Sequence, residues 1–126
     1  MVNIDKQVTF WRTSALEDWD VARQLVDTGR TRHGLFFVHL AFEKMLKAIV
    51  CKYTQDLAPR LHNLIRLSEL AGLSLDKEKL AVLAEINAFH IEGRYPETLM
   101  APPSKEEALK YISKAEEVIQ WLTILS

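Results

Sequence analysis

Residues 33–53, HGLFFVHLAFEKMLKAIVCKY, are committed to burial along most of their length, which limits what the chain can fold into. From Gly34 to Phe42 the only polar side chain is His39, and apolar spacing continues through Leu46, Ala48, Ile49 and Val50. A helix that is apolar around most of its circumference needs neighbours on several sides, so this segment belongs at the centre of a helical assembly. Yet it carries His39, Glu43 and Lys47 at successive spacings of four, which puts all three on one helical face. An unpaired buried charge is costly, so these groups must be held by one another or by adjoining segments.

The flanking segments supply those neighbours. Ile4, Val8, Trp11, Ala15, Trp19, Ala22 and Val26 recur at gaps of three and four, the stripe of a helix over residues 4–28. Gly29 suits the left-handed position that closes a helix, and the second helix starts near Arg30 or Thr31. After a connection over Thr54 to Arg60, residues 62–72 read as a short helix with Leu64, Leu67 and Leu70 inward and Gly72 as its stop. Asp76 is placed to cap a fourth helix through Leu80, Leu83, Ile86 and Phe89. That helix should fail by Arg94-Tyr95, because a residue before proline is pushed away from helical geometry. PETLMAPP, residues 96–103, is a loop, and Ser104 with Glu107 has the spacing of a capping box. The last helix runs from about Lys105 to Leu125, with Ala108 or Leu109, Ile112, Ala115, Ile119 and Leu122 inward. Strand-like alternation and internal repeats are absent. The expected fold is all-α: an up-and-down bundle of about five helices, one domain over residues 1–126.

A chain of 126 residues can bury one hydrophobic core, and only 4 Gly and 4 Pro leave room for long helices. No apolar run approaches the roughly 18 residues of a membrane span, so no membrane association is expected. The N-terminus MVNIDKQVTFWR lacks a secretory pattern and Cys51 is the single cysteine, from which a reducing, cytoplasmic setting is expected. Charge is unevenly spread. Residues 30–66 hold seven Lys/Arg against two Asp/Glu, while residues 1–29 hold three against five and residues 67–126 six against ten. A basic middle between acidic ends implies either an anion-binding surface or complementary packing between helices.

Several polar residues are candidates for chemistry. His39, Glu43 and Lys47 read first as a paired strip, with histidine bonded to glutamate and glutamate to lysine. His62 opens the third helix beside Arg60 and Asn63, where a neutral imidazole could bond across to Glu43. His90 and Arg94 lie one turn apart, followed by Tyr95-Pro96, so a guanidinium and a phenol can face an anionic ligand there. His33, His39, His62 and His90 lack the tight spacing of a metal motif, so neither a zinc site nor a cofactor is expected. Phosphate-cradling glycine loops and nucleophile elbows are absent.

Ala41-Phe42-Glu43-Lys44-Met45-Leu46-Lys47-Ala48, followed by His62-Asn63-Leu64 with Leu67 and then Arg94-Tyr95-Pro96, resembles the HEPN domain over nearly the whole chain. The resemblance implies a compact bundle of about five helices, commonly a homodimer. It further implies a small cytoplasmic protein encoded beside a minimal nucleotidyltransferase in a toxin–antitoxin-type pair. Other HEPN members are metal-independent ribonucleases in which four to six residues separate an arginine from a following histidine. Here the only pair at that spacing is Arg32 with His39, inside the most apolar segment, and Leu99, Met100 and Ala101 follow where Arg94 would need its histidine. The resemblance therefore marks Glu43, Lys47, His62, Arg94 and Tyr95 as a nucleotide- or RNA-phosphate-binding set, expected to cluster at one end of the bundle.

Three functions follow as expectations. One is a dimeric binding module that partners a minimal nucleotidyltransferase. Another is a metal-independent ribonuclease with an unconventional site, in which His62 or His90 carries the proton and Arg94 clamps phosphate. The third is a ligand-free dimerisation scaffold, for which Trp11, Trp19 and Trp121 could pack an interface or simply fill the core.

Overall fold

The structure is a computed structural model that describes residues 3–94 and 103–126, with side chains described for all of these but 91–94. It contains five helices: α1 (Ile4–Asp27), α2 (Thr31–Thr54), α3 (Leu64–Leu70), α4 (Lys77–Arg94) and α5 (Lys105–Leu125). No strand occurs among the described residues. The expected all-α bundle is the fold observed.

Local chemistry sets the helix ends. The Asn3 side chain accepts from the Lys6 amide at the start of α1. At its end Gly29 takes φ +86°, its amide donating to the Val26 carbonyl while Arg30 donates to that of Leu25, a Schellman closure. Gly72 repeats the device after α3, with φ +71° and Leu73 donating to the Ser68 carbonyl. The α3 helix is shorter than its apolar spacing suggested, because Asn63 acts as its cap and accepts from the Ile65 and Arg66 amides. Asp76 caps α4 through the Lys79 amide, and the Ser104–Glu107 capping box starts α5.

Helix α2 is the hub, packing against α1, α3, α4 and α5. From Ala41 to Cys51 every residue except Lys44 is buried. The core around it gathers Ala15, Trp19, Ala22 and Val26 of α1, Leu64 and Leu67 of α3, Leu83, Ile86 and Phe89 of α4, and Ala108, Ile112, Ala115, Ile119 and Leu122 of α5. Two expected details differ. Leu80 is 38 % exposed, so the buried stripe of α4 begins one turn later, and of the Ala108/Leu109 pair it is Ala108 that turns inward. Trp19 is a core residue whose ring meets Phe42 edge to face at 6.4 Å. Trp11 and Trp121 are half-buried.

The α1–α2 hairpin is closed tightly at Gly34. A Cβ there would lie 2.5 Å from Val26 Cγ2, 3.0 Å from the Val26 amide nitrogen and 3.1 Å from the Ala22 carbonyl oxygen. Two of those neighbours are backbone and cannot rotate away. Gly34→Ala gains about 1 kcal/mol of helix propensity but incurs an overpacking cost of about 1–3 kcal/mol. The expected outcome is a lower melting temperature by calorimetry, whereas a variant that melts higher would contradict so close a helix approach.

Candidate functional site

The polar strip of α2 is a junction between helices. Glu43, 6 % exposed, divides its carboxylate between two partners: Lys47 Nζ donates to Oε2 at 3.0 Å and His62 Nδ1 donates to Oε1 at 2.9 Å. Since an ionised carboxylate only accepts, the His62 proton facing it sits on Nδ1, and Nε2 remains on the other side of the ring. The His62 side chain is 53 % exposed. Burial pushes the Glu43 carboxyl up, but the hydrogen bonds from His62 and Lys47 and the Lys47 charge outweigh it, so Glu43 titrates below the usual carboxylate range. Lys47 is buried as well, with its ammonium 5.2 Å from the centre of the Trp11 ring.

His39 does not bond to Glu43 as its spacing suggested. Its Nδ1 stands 3.8 Å from Oε1, too far for a hydrogen bond, while Nε2 donates to the His62 carbonyl oxygen at 2.9 Å. Helix geometry explains the difference: once Glu43 turns toward His62, the deeper His39 ring finds an acceptor in the connection ahead of α3. Burial dominates its titration, and with opposition from Glu43 and help from His90 it draws the imidazole down to about 4. His62 is thereby gripped twice by α2, at its ring by Glu43 and at its carbonyl by His39.

Helix α4 completes the cluster. The Leu64 amide donates to Asn87 Oδ1 at 2.8 Å, and Asn87 Nδ2 donates to Asn63 Oδ1 at 3.3 Å. One turn on, the His90 ring lies 4.8 Å from that of His62 and 4.7 Å from that of His39, with Phe36 stacked at 5.9 Å. Glu43, Lys47 and His62 of the expected set therefore converge. Arg94 closes α4 four residues beyond His90, but its side chain lies outside the described residues, as does Tyr95. Sequence reasoning missed Asn87; its only signal was a lone amide three positions before His90 in an apolar stretch.

The basic middle of the chain is partly consumed internally. Lys47 serves Glu43, and Lys44 reaches Asp18 of the acidic first block at 2.8 Å, tying α2 to α1. Complementary helix packing thus accounts for part of the charge pattern. Arg60 remains exposed, and Arg66 is 56 % exposed and 3.9 Å from Glu69; they lie two positions before and four after His62 in the sequence. A separate groove of about 460 Å³ lies between α4 and α5, lined by Val82, Glu85, Lys114, Val118 and Trp121, where Lys79 covers the Trp121 ring at 4.8 Å. It does not include the histidine cluster.

Four helices around a central α2, with a Glu–His–Lys junction at its middle, define a helical-bundle class of protein. The HEPN domain family profile matches residues 8–125, and the chain belongs to that family. Two solved structures share the fold. The crystal structure of TT1696 from Thermus thermophilus superposes with a TM-score of 0.79 at 18 % identity, covering 95 % of this chain and 98 % of that one. That of ST0689, an archaeal HEPN homologue, gives 0.67 at 20 % identity, with 97 % and 96 % covered. A comparison with curated proteins finds no match. No helix among the described residues is long and apolar enough to cross a membrane.

Proposed function

We propose that this HEPN-domain protein binds a phosphate-bearing ligand, a nucleotide or an RNA segment, and works as the partner of a minimal nucleotidyltransferase in a toxin–antitoxin-type pair. One observation carries the ligand half of the reading: a half-exposed imidazole, His62, is hydrogen-bonded from behind by a buried carboxylate, with the exposed Arg60 and Arg66 close to it in the sequence. Guanidinium groups suit phosphate recognition, and an imidazole whose Nδ1–H is held by a carboxylate can donate to a phosphate through Nε2 when it carries both protons. In this reading Glu43 and Lys47 position His62, and Arg94 and Tyr95 are the further ligand contacts that the sequence motif suggests. The cytoplasm is the expected site of action in this reading, with a homodimer as the working unit.

The test is binding of fluorescent ATP and of a labelled single-stranded RNA, followed as salt is raised. The expected result is saturable binding that weakens with salt and falls at least tenfold in His62→Ala and in Arg94→Ala. Equal affinity in wild type and both variants would remove the site. Affinity purification from the native host, expected to bring down a small nucleotidyltransferase, checks the partner half separately.

The Glu43–His62 geometry also supports the ribonuclease alternative. An imidazole with Nδ1 tied to a carboxylate and Nε2 outward can accept a 2′-hydroxyl proton as that oxygen attacks the adjacent phosphorus. The leaving 5′-oxygen takes a proton from solvent, and a 2′,3′-cyclic phosphate remains. Cleavage of total RNA in chelator by wild type, lost in His62→Ala, would select this reading over binding alone.

A further inference from the structure

The innermost part of the cluster has an electrostatic conflict that its protein neighbours do not resolve. His39 donates through Nε2 to a carbonyl oxygen, which cannot donate back, so in the neutral ring Nδ1 carries a lone pair. That nitrogen is buried and no hydrogen-bond partner reaches it. Facing it at 3.8 Å is Oε1 of Glu43, an ionised carboxylate oxygen. Two electron-rich atoms thus confront each other in a buried setting, where their repulsion is poorly screened.

A ring nitrogen of His90 joins them. The donor atoms of His39, Glu43 and His90 all lie within 4.8 Å of one another, contributed by the two helices α2 and α4. We propose that these three side chains form a binding site for a divalent transition-metal ion of zinc type, which joins α2 to α4. Two imidazoles and a carboxylate suit a borderline cation. Ligand atoms around a tetrahedral zinc with bonds of about 2.0–2.1 Å stand about 3.3 Å apart, so the His39–Glu43 pair needs to close only slightly. The His90 ring, tilted 36° against that of His39 with centroids 4.7 Å apart, reorients to bring its lone pair to the same point.

The surroundings have the outer contacts of a metal centre. A ligating histidine ordinarily gives its second N–H to a carbonyl or carboxylate, fixing ring and tautomer. His39 does so through the His62 carbonyl, and Glu43 is oriented by His62 and Lys47. Lys47, 3.0 Å from the other Glu43 oxygen, opposes a dication and weakens the site relative to one without it. Spacing along the chain gave no sign of the site, because His90 comes from a different helix, 47 residues beyond Glu43.

Cobalt(II) provides a probe that reads coordination without any nucleotide or activity, so its outcome is separate from that of the phosphate-binding reading. Protein stripped with chelator and then desalted should develop the intense d–d absorption of low-coordinate cobalt at one equivalent, and zinc should bleach it. His90→Gln should lower cobalt affinity at least tenfold, while His33→Gln, an exposed control outside the cluster, should leave it unchanged. Absence of the absorption in wild type, or its full retention in His90→Gln, would overturn the proposal. The wild-type chain offers a second readout that needs no variant. Zinc should shift the ¹⁵N resonances of His39 Nδ1 and one His90 ring nitrogen; shifts confined to His33 would show an adventitious ion only and reject the site.

Discussion

Glu43→Ala should lower the unfolding free energy by about 3–5 kcal/mol, the range for removing one partner of a buried ion pair. Truncation leaves Lys47, a residue only 6 % exposed, with no carboxylate. The Trp11 face at 5.2 Å offers a cation about 0.5–2 kcal/mol and cannot make up the loss. His62 is also released, which loosens the connection leading into α3. Urea denaturation measures the change. The paired variant Glu43→Leu with Lys47→Met removes both charges and should recover most of the stability, since a buried ion pair is often matched by apolar residues of similar volume. A Glu43→Ala loss below about 1 kcal/mol would place this pair among surface ion pairs, against the burial described.

Acid should destabilise the metal-free protein well before ordinary carboxylates titrate. His39 is pulled down to about 4 in the folded chain, against 6.5 for a free imidazole. Between those values the unfolded state binds the proton and the folded state resists it. Stability therefore rises with pH over that window: it is fully present above about 6.5 and is lost as pH falls toward 4. At about 1.4 kcal/mol per pH unit of displacement, the loss is about 3 kcal/mol. Glu43, also held low, adds to the loss below its own unfolded value. The ionisable groups facing His39 are Glu43 on the same helix, His62 ahead of α3 and His90 on α4. Denaturation midpoints from pH 7.5 to 4, taken in chelator, check the slope. His39→Gln should flatten the part of the curve between pH 6.5 and 4.5, while a wild-type curve already flat there would contradict a buried neutral imidazole.

Most of the fold was legible because it rests on short-range rules. The α2 segment declared its central place through unbroken apolar spacing, and Gly29, Gly72, Asp76 and Ser104 marked helix ends through backbone chemistry that acts within a turn. Errors arose where tertiary contact overrides a local rule. The local cap at Asn63 shortens α3, but the same amide also meets Asn87 from a helix that no local pattern could bring near. The site was legible in part for the same reason. Glu43 and Lys47 are a spacing-of-four pair, and their contact follows from helix geometry alone. The Glu43–His62 bond spans 19 positions and was expected only as a pairing need of a buried acid. His39 was misjudged because its acceptor is a main-chain carbonyl, and every residue has one. Likewise, a count of basic residues could not show that Lys44 turns to Asp18 and Lys47 to Glu43, leaving fewer free cations in the middle of the chain than the total implies.

Long-range ¹H–¹⁵N correlation of the histidine rings in metal-free protein tests the junction at its root. The expected spectrum at pH 6 shows His39 neutral with its proton on Nε2 and His62 with a proton on Nδ1. A His39 ring that averages between tautomers, or that is half-protonated near 6.5 like a solvent-exposed imidazole, would contradict a structure in which α2 grips the start of α3 through both residues.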